Sequence, residues 1–175
     1  MNVGIIGSGG REHAICVSLK NSKNTNNIYC FPGNAGTSLL AKNIETDLNN
    51  FEGLKKLIQK FDIDLVIIGP EKPLVDGLVD DLKKNRIKVF GPNKIASQLE
   101  GSKIFTKKLC EKYDIPTASF GVFDDITKSL SYLKKCKFPI VVKADGLAAG
   151  KGVYICETLE QSTRAVKEIF DGKFG

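Results

Sequence analysis

The sequence predicts an α/β protein, with a doubly wound parallel sheet over residues 1–92 and a smaller α+β unit after it. Two observations predict this. Short runs rich in Val and Ile end in glycine or proline turns and alternate with amphipathic stretches of helical spacing as far as Pro92, the pattern of βαβ units joined by short loops. Beyond that point, helical stretches surround a glycine-rich turn set between two strand-like runs, Pro139 to Lys143 and Val153 to Cys156.

Taken in order, Asn2-Val-Gly-Ile-Ile6 reads as a short apolar strand, followed by Gly7-Ser-Gly-Gly10 and a helix from Arg11 to Lys20. A strand, a glycine turn and a helix start together offer free N–H groups and the positive end of a helix dipole to an anion. Gly7-x-Gly9 begins a dinucleotide-binding fingerprint, but Glu12 stands at the third glycine position. The next strand, Ile28 to Phe31, ends in Pro32 with no acid to hold a ribose hydroxyl. NAD is therefore disfavoured, and a smaller phosphorylated ligand suits the loop better; a tight turn without a ligand is the competing reading. His13, the only histidine, lies in the first turn of the helix. With no partner to make it a base, it reads as a cap or packing residue.

Pro32-Gly-Asn-Ala-Gly36 is a second loop at the C-terminal end of a strand, where open α/β sheets line their crevice. Asp47 is expected to cap a helix that packs Phe51, Leu54, Ile58 and Phe61 into the core. Ile63 to Ile68 is a buried strand running into Gly69-Pro-Glu71. Glu71 is placed either to accept hydrogen bonds from sugar hydroxyls or to act as a helix N-terminal acid stabilised by the dipole. A helix from Pro73 to Lys84 buries Leu74, Leu78 and Leu82, and Lys88 to Phe90 forms a further strand before Gly91-Pro92.

A helical stretch from Ile95 to Leu99 leads into the hinge-like Glu100-Gly101-Ser102-Lys103. Ser102 caps a helix carrying Phe105, Leu109 and Tyr113, which Ile115-Pro116 stops. The second unit is then expected to run as strand (Ser119 to Phe123), helix (Asp124 to Lys135), strand (Pro139 to Lys143), glycine turn, strand (Val153 to Cys156) and helix (Thr158 to Phe170). Thr158 and Gln161 form a capping-box pattern at the start of the last helix. In the turn, glycines permit positive φ and close backbone approach, so several N–H groups can face one anion. Lys143 and Lys151 flank it as point charges that attract phosphate without a fixed fork geometry. No G-x-x-x-x-G-K-[ST] followed by a helix is present, so this is not a Walker A loop; a hairpin with solvated lysines is the competing reading.

With 42% hydrophobic residues in 175, the chain can bury one large core or two small ones. The formal charge is +6; residues 1–100 hold 13 basic and 11 acidic side chains, residues 101–175 hold 13 and 9. The denser excess thus accompanies the glycine-rich turn, which favours an anionic ligand there. Arginine occurs only at 11, 86 and 164, tryptophan is absent, and no aromatic-basic platform appears, so nucleic acid is not an expected partner. The five cysteines, at 16, 30, 110, 136 and 156, form no C-x-x-C or metal spacing and read as small buried residues in a reducing compartment. The N-terminus enters a strand at once and no apolar run is long enough to cross a bilayer, so a cytoplasmic protein without a signal peptide or membrane partner is expected.

Several motifs then agree with one another: Gly7-Ser-Gly-Gly-Arg-Glu-His-Ala14, Pro32-Gly-Asn-Ala-Gly36, Ile68-Gly-Pro-Glu71, Phe90-Gly-Pro92, Leu99-Glu-Gly-Ser-Lys103, Ile115-Pro-Thr-Ala118 and Val142-Lys-Ala-Asp-Gly-Leu-Ala-Ala-Gly-Lys-Gly-Val153. In this order they resemble the phosphoribosylamine–glycine ligase (glycinamide ribonucleotide synthetase) family, and the last resembles the nucleotide loop of ATP-grasp enzymes generally. The resemblance implies a pre-ATP-grasp domain over residues 1–101, a connecting helix over 102–118 and the small subdomain of an incomplete ATP-grasp fold over 119–175. It implies ATP-dependent ligation of glycine to 5-phosphoribosylamine through glycyl phosphate, a step of purine biosynthesis, by positioning and charge neutralisation rather than by a side-chain nucleophile.

Carried over by position, Gly9, Gly10, Arg11 and Glu12 would bind the sugar phosphate with help from Gly33, Asn34, Ala35 and Gly36, and Glu71 the ribose. Lys103, Lys143, Asp145, Gly146, Gly150, Lys151 and Gly152 would bind ATP. The family's Mg2+ or Mn2+ ligands would lie outside this chain, no catalytic side chain is assigned, and a monomer is favoured. A nicotinamide-dependent reductase, another ATP-grasp synthetase or carboxylase, and a non-enzymatic nucleotide-sensing module are the alternatives. The tail Asp171-Gly-Lys-Phe-Gly175 looks like a turn into further sequence, so the chain is expected to be an N-terminal piece of a longer protein. By itself it should release no ADP from ATP in the presence of glycine and the amine, and steady turnover in an ADP-release assay would refute that expectation.

Overall fold

Near-continuous apolar runs along the first strands decide the architecture, because such runs are stable only when buried on both faces. In the computed structural model, which describes residues 1–148 and 150–174, the chain forms two compact units, Met1–Gln98 and Leu99–Gly175. Among the described residues no helix is long and apolar enough to cross a membrane.

The first unit carries a five-stranded parallel sheet of β1 (Asn2–Gly7), β2 (Asn27–Pro32), β3 (Lys42–Asn43), β4 (Leu65–Ile68) and β5 (Val89–Phe90), in the order β3-β2-β1-β4-β5. β1 is central, pairing Ile6 with Phe31 of β2 and with Ile68 of β4. Side chains alternate across a strand, so Val3 and Ile5 enter one apolar cluster with Cys16, Ile28 and Cys30. Ile6 enters the other, with Phe31, Leu54, Val66 and Leu78. α1 (Gly10–Lys20) contributes Cys16 and covers the first face. α2 (Phe51–Lys60) and α4 (Leu78–Lys84) cover the second.

Cys16 and Cys30 lie with their sulfurs 3.3 Å apart in the first cluster. Burial, and then the neighbouring Cys16, push the Cys30 thiol up to about 12, so both sulfurs stay protonated and act as packing atoms.

The strand order reverses at β1, which sends the chain to β2 and β3 on one side and to β4 and β5 on the other. The loops after β1 and β4 therefore diverge and leave a crevice at their C-terminal ends.

Two helix boundaries differ from the sequence reading. Asp47 does not cap α2; its carboxylate accepts the N–H of Asn49 in a tight local turn, and Asn50 is the cap, accepting the N–H of Gly53. The expected helix from Pro73 to Lys84 is two helices, α3 (Glu71–Asp76) and α4, separated at Gly77 with φ +100°. That left-handed residue closes α3 through its N–H to Pro73 and Leu74. The leucine spacing of four persists across the break, which is why the sequence reads as continuous.

α5 (Lys94–Gly101) leads to α6 (Lys103–Lys112), α7 (Ile126–Leu133), an antiparallel pair β6 (Ile140–Lys143) and β7 (Val153–Cys156), and α8 (Leu159–Phe170). α7 packs on α8, and α8 lies on both strands, burying Leu133, Ala144, Cys156, Ala165 and Val166. Ser102 caps α6 through the Phe105 N–H, and Thr158 caps α8 through the Gln161 N–H. The expected strand from Ser119 to Phe123 is not formed. This segment pairs with neither β6 nor β7, and without a ladder partner β propensity alone does not fix a strand. Just before it the Lys107 ammonium donates to the Thr117 hydroxyl and the Ala118 carbonyl, and it lies over the Phe120 ring, 5.4 Å from the centroid.

Removing an N-cap oxygen costs about 1 kcal/mol. Asn50→Ala should lose that much in urea unfolding and Asp47→Ala less; equal losses would contradict the assigned cap.

Candidate ligand-binding sites

The first site forms at the C-terminal rim of β1, β2 and β4. Gly7 leaves β1 with φ +124°, its carbonyl accepting the Gly33 N–H at 3.1 Å, while the Gly69 N–H reaches the Ile6 carbonyl at 3.1 Å. Three loops are thereby tied to one edge. Glu12 turns inward beneath them, 3% exposed, and its Oε2 accepts the Gly9 N–H at 2.5 Å. A methyl group on Gly7 would come within 2.8 Å of the Glu12 Cδ, and one on Gly69 would collide with its Oε1. Glu12 occupies space that two glycines vacate.

The 33–36 loop is built by exchange between side chain and backbone. Asn34 Nδ2 donates to the carbonyls of Ser8 (2.9 Å) and Gly9 (3.1 Å), while its Oδ1 accepts the Thr37 N–H. Thr37 Oγ1 accepts the Asn34 N–H and donates to Asn43 Oδ1. Gly33 has φ +80°, and a side chain there would strike Asn43 and Thr37. His13 packs its ring against this loop, 3.3 Å from where a methyl on Gly36 would lie.

Across the crevice, Arg11 Nη2 and Glu71 Oε1 meet at 2.8 Å, joining the start of α1 to the start of α3. The guanidinium, and after it the residue's own backbone N–H, hold the Glu71 carboxyl below its ordinary range. Space above Gly10 is open: a methyl group there would have no neighbouring atom within 4 Å. Gly9, Gly10, Arg11, Ala35, Gly36 and Glu71 thus gather around one rim. Glu12 and the Asn34 side chain face the protein and shape the loops. Thr37 and Asn43 also belong to the site, beyond the residues expected from sequence; the Asn34–Thr37 spacing, typical of side-chain-closed turns, is the signal that marks Thr37.

The second site lies in the second unit. Gly146, Gly150 and Gly152 have φ of +86°, +77° and +70°, and the positions of a methyl on Gly146 and Gly150 face open space. The turn is closed by Lys151 N–H to the Ala148 carbonyl and Ala144 N–H to the Gly152 carbonyl, both 2.8 Å. Ala149, inside this turn, lies outside the described residues. Lys143 ends β6 opposite Val153. Among the described residues, neither Lys143 nor Lys151 has an ion-pair or hydrogen-bond partner for its ammonium. Lys103 donates to the Gly146 carbonyl at 2.9 Å, and the Asp145 carboxylate faces the start of α6. Val141, Val153 and Ile155 share the face of the sheet that carries Lys143, and Ile155 is 76% exposed. A charged residue therefore borders a bare apolar surface.

Comparison with known proteins decides the family. Residues 1–100 match the N domain of phosphoribosylglycinamide synthetase, and residues 101–175 match its ATP-grasp (A) domain. The chain belongs to the phosphoribosylglycinamide synthetase family.

Its curated relatives include the phosphoribosylamine–glycine ligases of Clostridium acetobutylicum, 49% identical over 98% of this chain and 42% of theirs, and of Mesorhizobium japonicum, 46% identical over 100% and 41%. The chain spans about two fifths of the length of the curated relatives it matches. Among solved structures, the phosphoribosylamine–glycine ligase of Thermotoga maritima superposes with a TM-score of 0.79 at 32% identity, over 99% of this chain and 40% of that one. An Aspergillus clavatus N5-carboxyaminoimidazole synthase in complex with ADP and an aminoimidazole ribonucleotide shares the fold, with a TM-score of 0.71 at 17% identity over 96% and 43%. The synthetase family thus has, in this chain, a doubly wound N domain and the opening part of an ATP-grasp domain.

The Arg11–Glu71 contact makes a testable statement about acid. Glu71 has a depressed carboxyl in the folded chain, so the pair contributes fully above the ordinary 4.5 and is lost as pH falls through the lower folded value. With both side chains partly exposed, the contribution is on the order of 0.2–1 kcal/mol. In Arg11→Ala, a carbon-detected titration should show the Glu71 carboxyl moving back up toward 4.5; an unmoved carboxyl would remove the ion pair as its cause.

Proposed function

We propose that this chain is the part of a phosphoribosylamine–glycine ligase that receives 5-phosphoribosylamine on its N domain and begins to enclose ATP in its second unit. The reaction joins glycine to the sugar amine and yields glycinamide ribonucleotide, ADP and phosphate by way of glycyl phosphate. The observation that carries the reading is the family match along the whole chain, with glycine-rich loops meeting a cation at each site.

Geometry supports the assignment of parts. At the first site the start of α1 offers a phosphate the open space above Gly10 and the positive end of the helix, while the Gly9 N–H is held by Glu12. Arg11 supplies charge beside it, and Glu71 on the opposite wall accepts from ribose hydroxyls. The 33–36 loop, fastened to Ser8 and Gly9 by Asn34, completes the wall. At the second site, Lys103, Lys143 and Lys151 surround a turn of positive-φ glycines, an arrangement that neutralises polyphosphate charge. The bare face of Val141, Val153 and Ile155 beside Lys143 offers a base a flat apolar surface. We divide these roles between residues 1–101 and 119–175, joined by 102–118.

Among the described residues no group of three or more His, Cys, Asp or Glu is placed to hold a metal. We assign no step to a magnesium ion and infer that its ligands in the longer enzyme come from outside this chain. The protein works in the cytoplasm, where five free cysteines persist, as a monomer whose partners are its small-molecule substrates.

Calorimetric titration of this chain with glycinamide ribonucleotide tests the first site, with NAD as the comparison ligand. Loss of a hydrogen bond to a charged group costs about 1.5–3 kcal/mol, so Glu71→Ala should weaken the ribonucleotide at least about tenfold. Heat from NAD with none from the ribonucleotide would overturn the reading in favour of a reductase.

A further inference from the structure

Asp145 stands in the middle of a loop assigned to a polyphosphate, where a carboxylate should repel the ligand. Its surroundings account for it. Oδ2 accepts the Ser102 hydroxyl at 2.9 Å, and Oδ1 accepts the Ile104 N–H at 3.1 Å. The Ser102 oxygen in turn accepts the Phe105 N–H at 3.0 Å. One residue further along each segment, Lys103 donates its ammonium to the Gly146 carbonyl at 2.9 Å. Three contacts, each spanning more than 40 residues of sequence, therefore fasten the first turn of α6 to the start of the glycine turn.

From this geometry we infer that Asp145 is a positioning residue that touches no ligand: with Ser102 it clamps α6 to the glycine turn and so sets where the Lys103 ammonium and the Gly146 backbone meet a phosphate. The inference deepens the nucleotide reading and rests on it.

The chemistry of the clamp is consistent. A helix N-terminus attracts a negative group, and here Asp145 fills that place from the protein's own chain, so the α6 start is already satisfied. Burial pushes the carboxyl up, but the hydrogen bonds from Ile104, Ser102 and the N–H groups of Gly146 and Lys103 outweigh it and leave the carboxyl below its ordinary value. The same donors keep the carboxylate ionised and direct both of its oxygens at the start of α6. Gly146, next in sequence, takes φ +86°, which turns its carbonyl to Lys103 and leaves the side above its Cα open. The aspartate sets the direction in which the turn leaves β6, and the lysine reports that direction to the phosphate site.

The test compares the wild-type chain with Asp145→Ala and Asp145→Asn. Asparagine keeps an acceptor for Ile104, and its amide can donate to Ser102, so it should rescue. Amide hydrogen exchange is read first, because it needs no ligand. Asp145→Ala should speed exchange about tenfold or more at Ile104 and across residues 146–148, Asp145→Asn should restore most of the protection, and the β1–β4 amides should be unchanged. Titration with ATP and with adenosine follows. ATP should weaken about tenfold in the alanine variant, with adenosine unaltered and asparagine close to wild type.

Unchanged exchange at residues 146–148 would overturn the clamp. Faster exchange with equal loss of ATP and adenosine would overturn the positioning role in favour of general loosening. If the wild-type chain binds adenosine and ATP equally, the polyphosphate reading of this turn fails, while the exchange comparison still decides the clamp.

Discussion

Glu12 is buried at the end of the sheet where chain direction, loop closure and helix start all meet. A buried carboxylate is costly unless its oxygens find donors. Here the Gly9 N–H supplies one, and the Arg11 Nε stands 4.0 Å from the other oxygen. The space it fills exists because Gly7 and Gly69 lack side chains. Glu12 fills the space between the loops after β1 and β4, and the third loop joins through Gly33 and Asn34. Arg11, the next residue toward the helix start, extends to Glu71. The turn after β1, the loop after β4 and the start of α1 all meet at that inward carboxylate.

Much of this was legible in the sequence. The central strands were, since a run such as Val-Gly-Ile-Ile is stable only when covered on both faces. So were the caps at Ser102 and Thr158, where the residue type and the register of the following helix agree. The glycine loops were legible as places that permit positive φ, though only the fold shows that the space above Gly10, Gly146 and Gly150 is open while that above Gly7, Gly33 and Gly69 is filled.

What escaped the sequence did so for identifiable reasons. Gly77 breaks a helix whose leucine spacing continues unbroken, so periodicity hides the break. Asp47 and Asn50 are both good caps, and only the local turn taken by Asp47 decides between them. The stretch 119–123 has strand composition without a strand beside it. The two-residue β3 is too short to leave a pattern. The resemblance places Glu12 and Asp145 among ligand-binding residues, and the fold adds that hydrogen-bond donors within the chain hold both carboxylates. Sequence spacing says that an acid is near a loop, and it does not say which way the acid points.

The bare face of β6 and β7 bears on how copies of this chain behave together. Val141, Val153 and Ile155 form a small greasy plane, and each strand has one edge without a backbone partner among the described residues. Such edges and planes invite self-association. Opposing it is the formal charge of +6, which makes neighbouring molecules repel at low ionic strength. That repulsion fades beyond about 8 Å in physiological salt. Colloidal stability therefore leans on the chain's surplus of lysine, and anything that neutralises those lysines also removes the barrier between one greasy plane and the next.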